Sequence, residues 1–177
     1  AGTDSTGGTG SLAAYYAGAI AVLFMLFASF GGASLLHDEL DRGILDRILA
    51  GPGGLAPLLT GKLAYLVVLG SLQVLEIFLI AWLLYGVPFA GRGVAFAAAT
   101  LATAFACAGI GLLLVTACRT KAQAAAVSTI AILLASALGG SMVPRFLMPD
   151  WMRSLGWVTP NAWAIEAYTS IISEERR

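Results

Sequence analysis

The sequence predicts an all-α integral membrane protein with four transmembrane helices, and three observations predict it. Of 177 residues, 59% are hydrophobic and only 11% are charged, against roughly a quarter charged in soluble domains. Mean hydropathy is +0.87, as lipid selects when buried charge is expensive. Four apolar runs, 12–36, 63–85, 94–117 and 122–143, are free of Lys and Arg, and each approaches or exceeds the roughly 20 residues that carry a helix across a ~30 Å hydrocarbon core.

Each run is read as helical, because an open strand in lipid leaves backbone groups unpaired. Residues 1–11, rich in Gly, Thr and Ser, form a flexible outer segment without the basic start of a signal peptide. Residues 12–172 form one membrane domain, and 173–177 a charged, truncated tail. The first and third connections carry Arg42, Arg47, Lys62, Arg119 and Lys121, the second only Arg92. The positive-inside rule therefore sets the first and third in the cytoplasm.

The first connection contains an amphipathic helix over 38–50. Leu40, Ile44, Leu45 and Ile48 fall on one side, and Asp38, Glu39, Arg42 and Asp46 on the other. Pro52 among Gly51, Gly53 and Gly54 stops it. Its mixed charges suit a protein partner better than anionic lipid, although a helix lying on the headgroups is the alternative. Gly43 permits a bend after the first span, and Lys62 anchors the second span at the inner headgroups. His37 is read as a solvated helix-end residue.

In the second span, Glu76 is the one ionisable group inside the apolar cores, with Gln73 three residues earlier. An acid at mid-membrane costs about 3 kcal/mol on insertion scales, so it must face the bundle, water or a partner. It is read either as a polar lining of a substrate path or as a protonated hydrogen-bonding group between helices. The third span carries a ridge of small residues, Ala98, Ala102 and Ala106, with Gly109 and Gly111 just beyond, that invites close helix packing.

Beyond the fourth span, 144–172 holds three tryptophans and three prolines. It reads as short helices dipping into the outer leaflet, or as an outer loop with interfacial anchors. Net charge is zero and no basic stretch occurs, which excludes nucleic acid as a partner. Cys107 and Cys118 have neither disulfide-framework nor metal-ligand spacing, so no metal site is expected. Gly61-Lys62 lacks the remainder of a phosphate-binding loop, so no nucleotide site is expected either.

Two stretches together resemble the ABC-2 type permease family, the membrane subunits of ATP-binding-cassette exporters. Glu39, Asp41, Arg42, Gly43, Leu49, Pro52, Gly61 and Lys62 are similar to its first cytoplasmic connection, with Ile44 where the family usually has Thr. Gly139, Gly140, Pro144, Met148, Pro149, Trp151, Pro160 and Trp163 are similar to its Gly-Gly, Pro, Met-Pro and Pro-x-x-Trp pattern. The resemblance covers nearly all of 12–172 and implies that a first and a last span lie outside the sequence.

The resemblance implies that 38–50 is a coupling helix seated on a separate ATPase subunit, with Glu39, Asp41 and Arg42 making charged contacts. It implies a re-entrant plug over the exit at 144–172, and a second permease copy as homo- or heterodimer. ATP and Mg would bind the partner ATPase, with no cofactor and no catalytic residue in this chain. The expected setting is the plasma (inner) membrane of a bacterium. The alternatives are a non-transporting anchor or sensor subunit and an intramembrane enzyme using Glu76, the latter lacking a His in any span.

Overall fold

A computed structural model of the chain describes residues 5–44, 48, 54–87 and 92–175, with side chains described from 12 to 173 within those ranges. All regular elements among them are helical. Four long helices, α1 (Ser5–Asp41), α2 (Ala56–Tyr85), α3 (Gly93–Ala117) and α4 (Lys121–Gly139), are long and apolar enough to cross a membrane. A 3₁₀ turn (Arg145–Leu147), α5 (Asp150–Gly156) and α6 (Pro160–Glu175) follow.

The boundaries differ from the hydropathy runs for physical reasons. Hydropathy marks only the part of a helix that lipid covers. With 37 residues, α1 is about 55 Å long at 1.5 Å per residue, so it extends beyond the bilayer core. Its last turn includes Asp38–Asp41, placed in a separate amphipathic helix by the sequence; the break comes at Gly43, whose φ of 66° suits glycine. Ile44 and Ile48 are helical beyond it, while Leu49 and Pro52 lie outside the described residues. At the other end of the bundle, α4 stops at Gly139, four residues short of the expected 143, because Gly140 takes φ 106° and caps it. The start of α4 is set by Thr120, whose hydroxyl accepts from the Gln123 N–H, while the Gln123 side chain accepts from the Arg119 N–H.

Helix α1 is the hub and packs against α2, α3, α4 and α6. Its small residues, among them Ala17, Ala21 and Ala33, are buried and let neighbours approach. From α2, Leu66, Gly70, Val74, Phe78 and Ala81 face inward at helical spacing. The third span does pack inside the bundle, and of the small residues expected to face inward Gly111 does so while the alanine ridge does not. Ala98, Ala102 and Ala106 are exposed, whereas Thr100, Ala104, Cys107, Ala108 and Gly111 are buried. At Gly111 a Cβ would come within 3.2 Å of the Ser29 backbone, which explains why this face is the one that meets α1. Exposed Leu72, Leu75, Leu79, Leu83, Leu101, Phe105 and Leu134 cover the outside, a surface suited to lipid.

Candidate functional site

One end of the bundle gathers the inner-connection charges and is called here the basic end. Three consecutive α1 residues each tie down a different element there. His37 is 7% exposed, and its Nε2 lies 3.1 Å from the Cys118 carbonyl oxygen; a carbonyl only accepts, so Nε2 carries the proton. The expected solvated His37 is therefore corrected: the α3–α4 connection folds over it. Asp38 accepts from Lys121 Nζ at 2.7 and 2.8 Å. Glu39 Oε2 accepts from Lys62 Nζ at 2.5 Å, and the lysine side chain is only 8% exposed. The sequence gives Glu39 and Lys62 separate roles, one toward an ATPase and one toward headgroups. The structure joins them in one ion pair between α1 and α2.

Beyond this cluster, Leu40, Asp41, Arg42 and Ile44 are exposed. Arg42 and Gly43 close the end of α1 through backbone bonds to Asp38 and Leu40. Among the described residues at the end of α1, the side chains open to another molecule are thus those of Leu40, Asp41, Arg42 and Ile44.

The opposite end is built from the second motif. Gly139 and Gly140 are required by close approach: a Cβ on Gly139 would meet Asn161 Cβ at 2.4 Å, and one on Gly140 would meet Arg145 Cγ at 2.6 Å and Tyr15 Oη at 2.8 Å. Pro144 and Pro149 precede the 3₁₀ turn and α5, and Pro160 opens α6, positions where the missing N–H costs no helical bond. Met148 is buried. Exposed Trp163 donates through Nε1 to the Trp157 carbonyl at 2.7 Å, with the two rings 4.7 Å apart.

The residues that fasten this motif to the bundle were invisible in the pattern. Tyr15 donates to the Gly140 carbonyl at 2.8 Å and accepts from the Arg145 N–H at 2.9 Å. Asn161, fully buried, donates to Ser136 and Ser141. Tyr168 lies among Phe78 and Phe96 and donates to Thr100 at 3.2 Å. α6 therefore packs from the end of α4 across α1 to α3. A Tyr in a span and an Asn after a Pro were the available signals, and neither is specific.

Between the two ends, Glu76 is exposed on the face of α2 opposite Val74 and Phe78. No described residue bonds it. Of the settings open to an intramembrane acid, the interior of this bundle is not the one it takes. Gln73 is half-buried, with a buried Oε1 that finds no partner.

These features define a multi-pass helical membrane domain, cross-tied by ion pairs at one end and by a folded-back helical segment at the other. Residues 3–173 match the family described as ABC-2 type transporter, and the chain belongs to that family. It is similar to the probable multidrug ABC transporter permease YbhR of Escherichia coli K12, 28% identical over 122 residues, which cover 69% of this chain and 33% of that protein. It is also similar to the linearmycin resistance permease protein LnrN of Bacillus subtilis, 23% identical over 161 residues, covering 91% of this chain and 42% of that one. The matched parts span less than half of either relative. No solved structure matches the chain significantly.

Proposed function

We propose that this chain is the transmembrane permease part of an ATP-driven exporter in a bacterial plasma membrane. A separate ATPase subunit binds ATP and Mg, and two permeases pair around the substrate path. The basic end faces the cytoplasm, in keeping with the positive-inside rule. The observation that carries this reading is the run His37, Asp38 and Glu39, which ties α1 to the α3–α4 connection, α4 and α2 directly above an exposed turn at Asp41–Gly43. A push on the segment after Gly43 reaches three elements through one turn of helix. That is what coupling a cytoplasmic motor to a change of access demands. The names of both relatives, one a multidrug and one an antibiotic-resistance permease, support efflux as the direction.

Because Glu39 is engaged by Lys62, the contacts offered to the ATPase are Asp41 and Arg42. The test is co-purification of the full-length permease with its ATPase, comparing wild type with the double reversal Asp41→Lys, Arg42→Glu. Loss of the ATPase from a variant that still inserts in the membrane is expected. Equal retention by both would remove the coupling role from this turn.

A further inference from the structure

At the end opposite the ion pairs lies a cavity of about 450 Å³, lined by Tyr15, Arg145, Arg153, Trp157, Glu166 and Thr169, with exposed Phe146 beside them. Arg145 is the unusual member. Its side chain is 7% exposed, its guanidinium carbon sits 4.4 Å over the Trp157 ring, and Nη1 is buried with no hydrogen-bond partner. Burying a charged donor without an acceptor is costly.

The charged neighbours do not supply that acceptor. Asp150 accepts from Arg153 at 2.7 Å. Glu166 lines the same cavity but is exposed and makes no ion pair with Arg145. The Tyr15 hydroxyl is committed to the Gly140 carbonyl and the Arg145 N–H, and the Thr169 hydroxyl donates to the Ile165 carbonyl. Arg145 is also held in place: its Cγ occupies the space a Gly140 side chain would need, and its Nη1 lies 3.2 Å from where a Gly156 Cβ would stand. The guanidinium is therefore positioned, stacked on an aromatic ring, and short of an acceptor.

We propose that this cavity is a binding site for a phosphate-bearing ligand, with the phosphate held by Arg145. The guanidinium fork pairs with phosphate oxygens in two parallel hydrogen bonds. Trp157 lines the site, Trp163 packs edge-on against its ring, and Trp151 lies on α5 of the same segment, with 38%, 63% and 67% of their surfaces exposed; tryptophans at a bundle end mark headgroup depth. The anions concentrated at that depth are lipid phosphates. A cavity of this size holds a headgroup and leaves acyl chains outside. Glu166 on the wall disfavours a second negative charge and suits the amine of a zwitterionic headgroup. This site is independent of the ATP-coupled reading above.

The test is a tryptophan-fluorescence titration of the full-length permease in a neutral maltoside detergent, since Trp157 reports directly on Arg145. The probes are dihexanoylphosphatidylethanolamine, inorganic phosphate and dihexanoylglycerol, the last lacking phosphate. Saturable binding of the phospholipid is expected in wild type, weakened about tenfold or more in Arg145→Lys, which keeps the charge and loses the fork. An unchanged ligand-free melting temperature shows that this variant is folded. Phospholipid binding tighter than inorganic phosphate makes a lipid headgroup the source; equal binding makes it a soluble phosphate. Glu166→Gln, at an exposed position, removes the competing carboxylate and is expected to tighten inorganic phosphate a few-fold. The proposal is overturned if neither phosphate probe saturates in wild type or Glu166→Gln, if Arg145→Lys binds as wild type does, or if dihexanoylglycerol binds equally well.

Discussion

At the basic end, Lys62 meets Glu39 and Lys121 meets Asp38 through side chains, and three of these four side chains are 29 to 55% exposed. At the opposite end, Tyr15, Gly140, Arg145 and Asn161 are joined by buried hydrogen bonds to backbone and hydroxyl groups, with glycines admitting contacts that no Cβ would allow. Water or a partner's charges replace a tie of the first kind at small cost where it is exposed, as at Lys121. The second kind yields only when packing is undone, because close-packed interiors shift between discrete arrangements rather than deforming smoothly. The comparison teaches where movement belongs: the basic end is built to be re-set and the opposite end to hold its shape.

The largest expected effect tests the close-packed end. Gly139→Leu drives a side chain into Asn161 and Thr159, and a loss of about 3 kcal/mol or more, or failure to fold, is expected. Stability in detergent, measured by thermal unfolding, checks it; a wild-type melting point would show that α6 can move away freely. Next, Tyr15→Phe strands the Gly140 carbonyl and the Arg145 N–H. Its cost should be about 2–3 kcal/mol, read from the same unfolding curves.

The basic end should respond more weakly. A double-mutant cycle on Glu39 and Lys62, each changed to Gln, should give a coupling of about 1–2 kcal/mol, because the lysine is nearly buried. The same cycle on Asp38 and Lys121, where the lysine is 55% exposed, should give a smaller coupling that fades in high salt. If the second coupling matched the first, the gradation in exposure would not govern these ties. Couplings above those at the opposite end would reverse the comparison altogether.

Much of the fold was legible in the sequence, for specific reasons. The runs 63–85 and 94–117 share their far ends with α2 and α3 at Tyr85 and Ala117, because Gly86 turns left-handed and Cys118 leaves the helical region. The Gly139-Gly140 pair stood out in the sequence only through the family resemblance, and the structure puts side chains within 3 Å of where their Cβ atoms would be. The site was only half legible. The segment around Asp41–Gly43 drew attention through its charges, but charge in a sequence does not say whether a side chain turns outward, as Arg42 does, or toward a neighbouring helix, as Glu39 does.

Composition and run length by themselves determined that this chain is a membrane protein with four helices, among the described residues, long and apolar enough to cross a bilayer, since the cost of unpaired backbone and buried charge leaves few other solutions. Tertiary structure alone decided the faces. Thr100, Ala104 and Gly111 are buried, Gly111 against Ser29 of α1, while Ala98, Ala102 and Ala106 face outward, Glu76 turns away from the bundle, and Arg145 is buried against Trp157. In water an apolar stripe declares the buried side of a helix; in a membrane both the lipid and the neighbouring helix are apolar, so periodicity carries little of that information and packing supplies it.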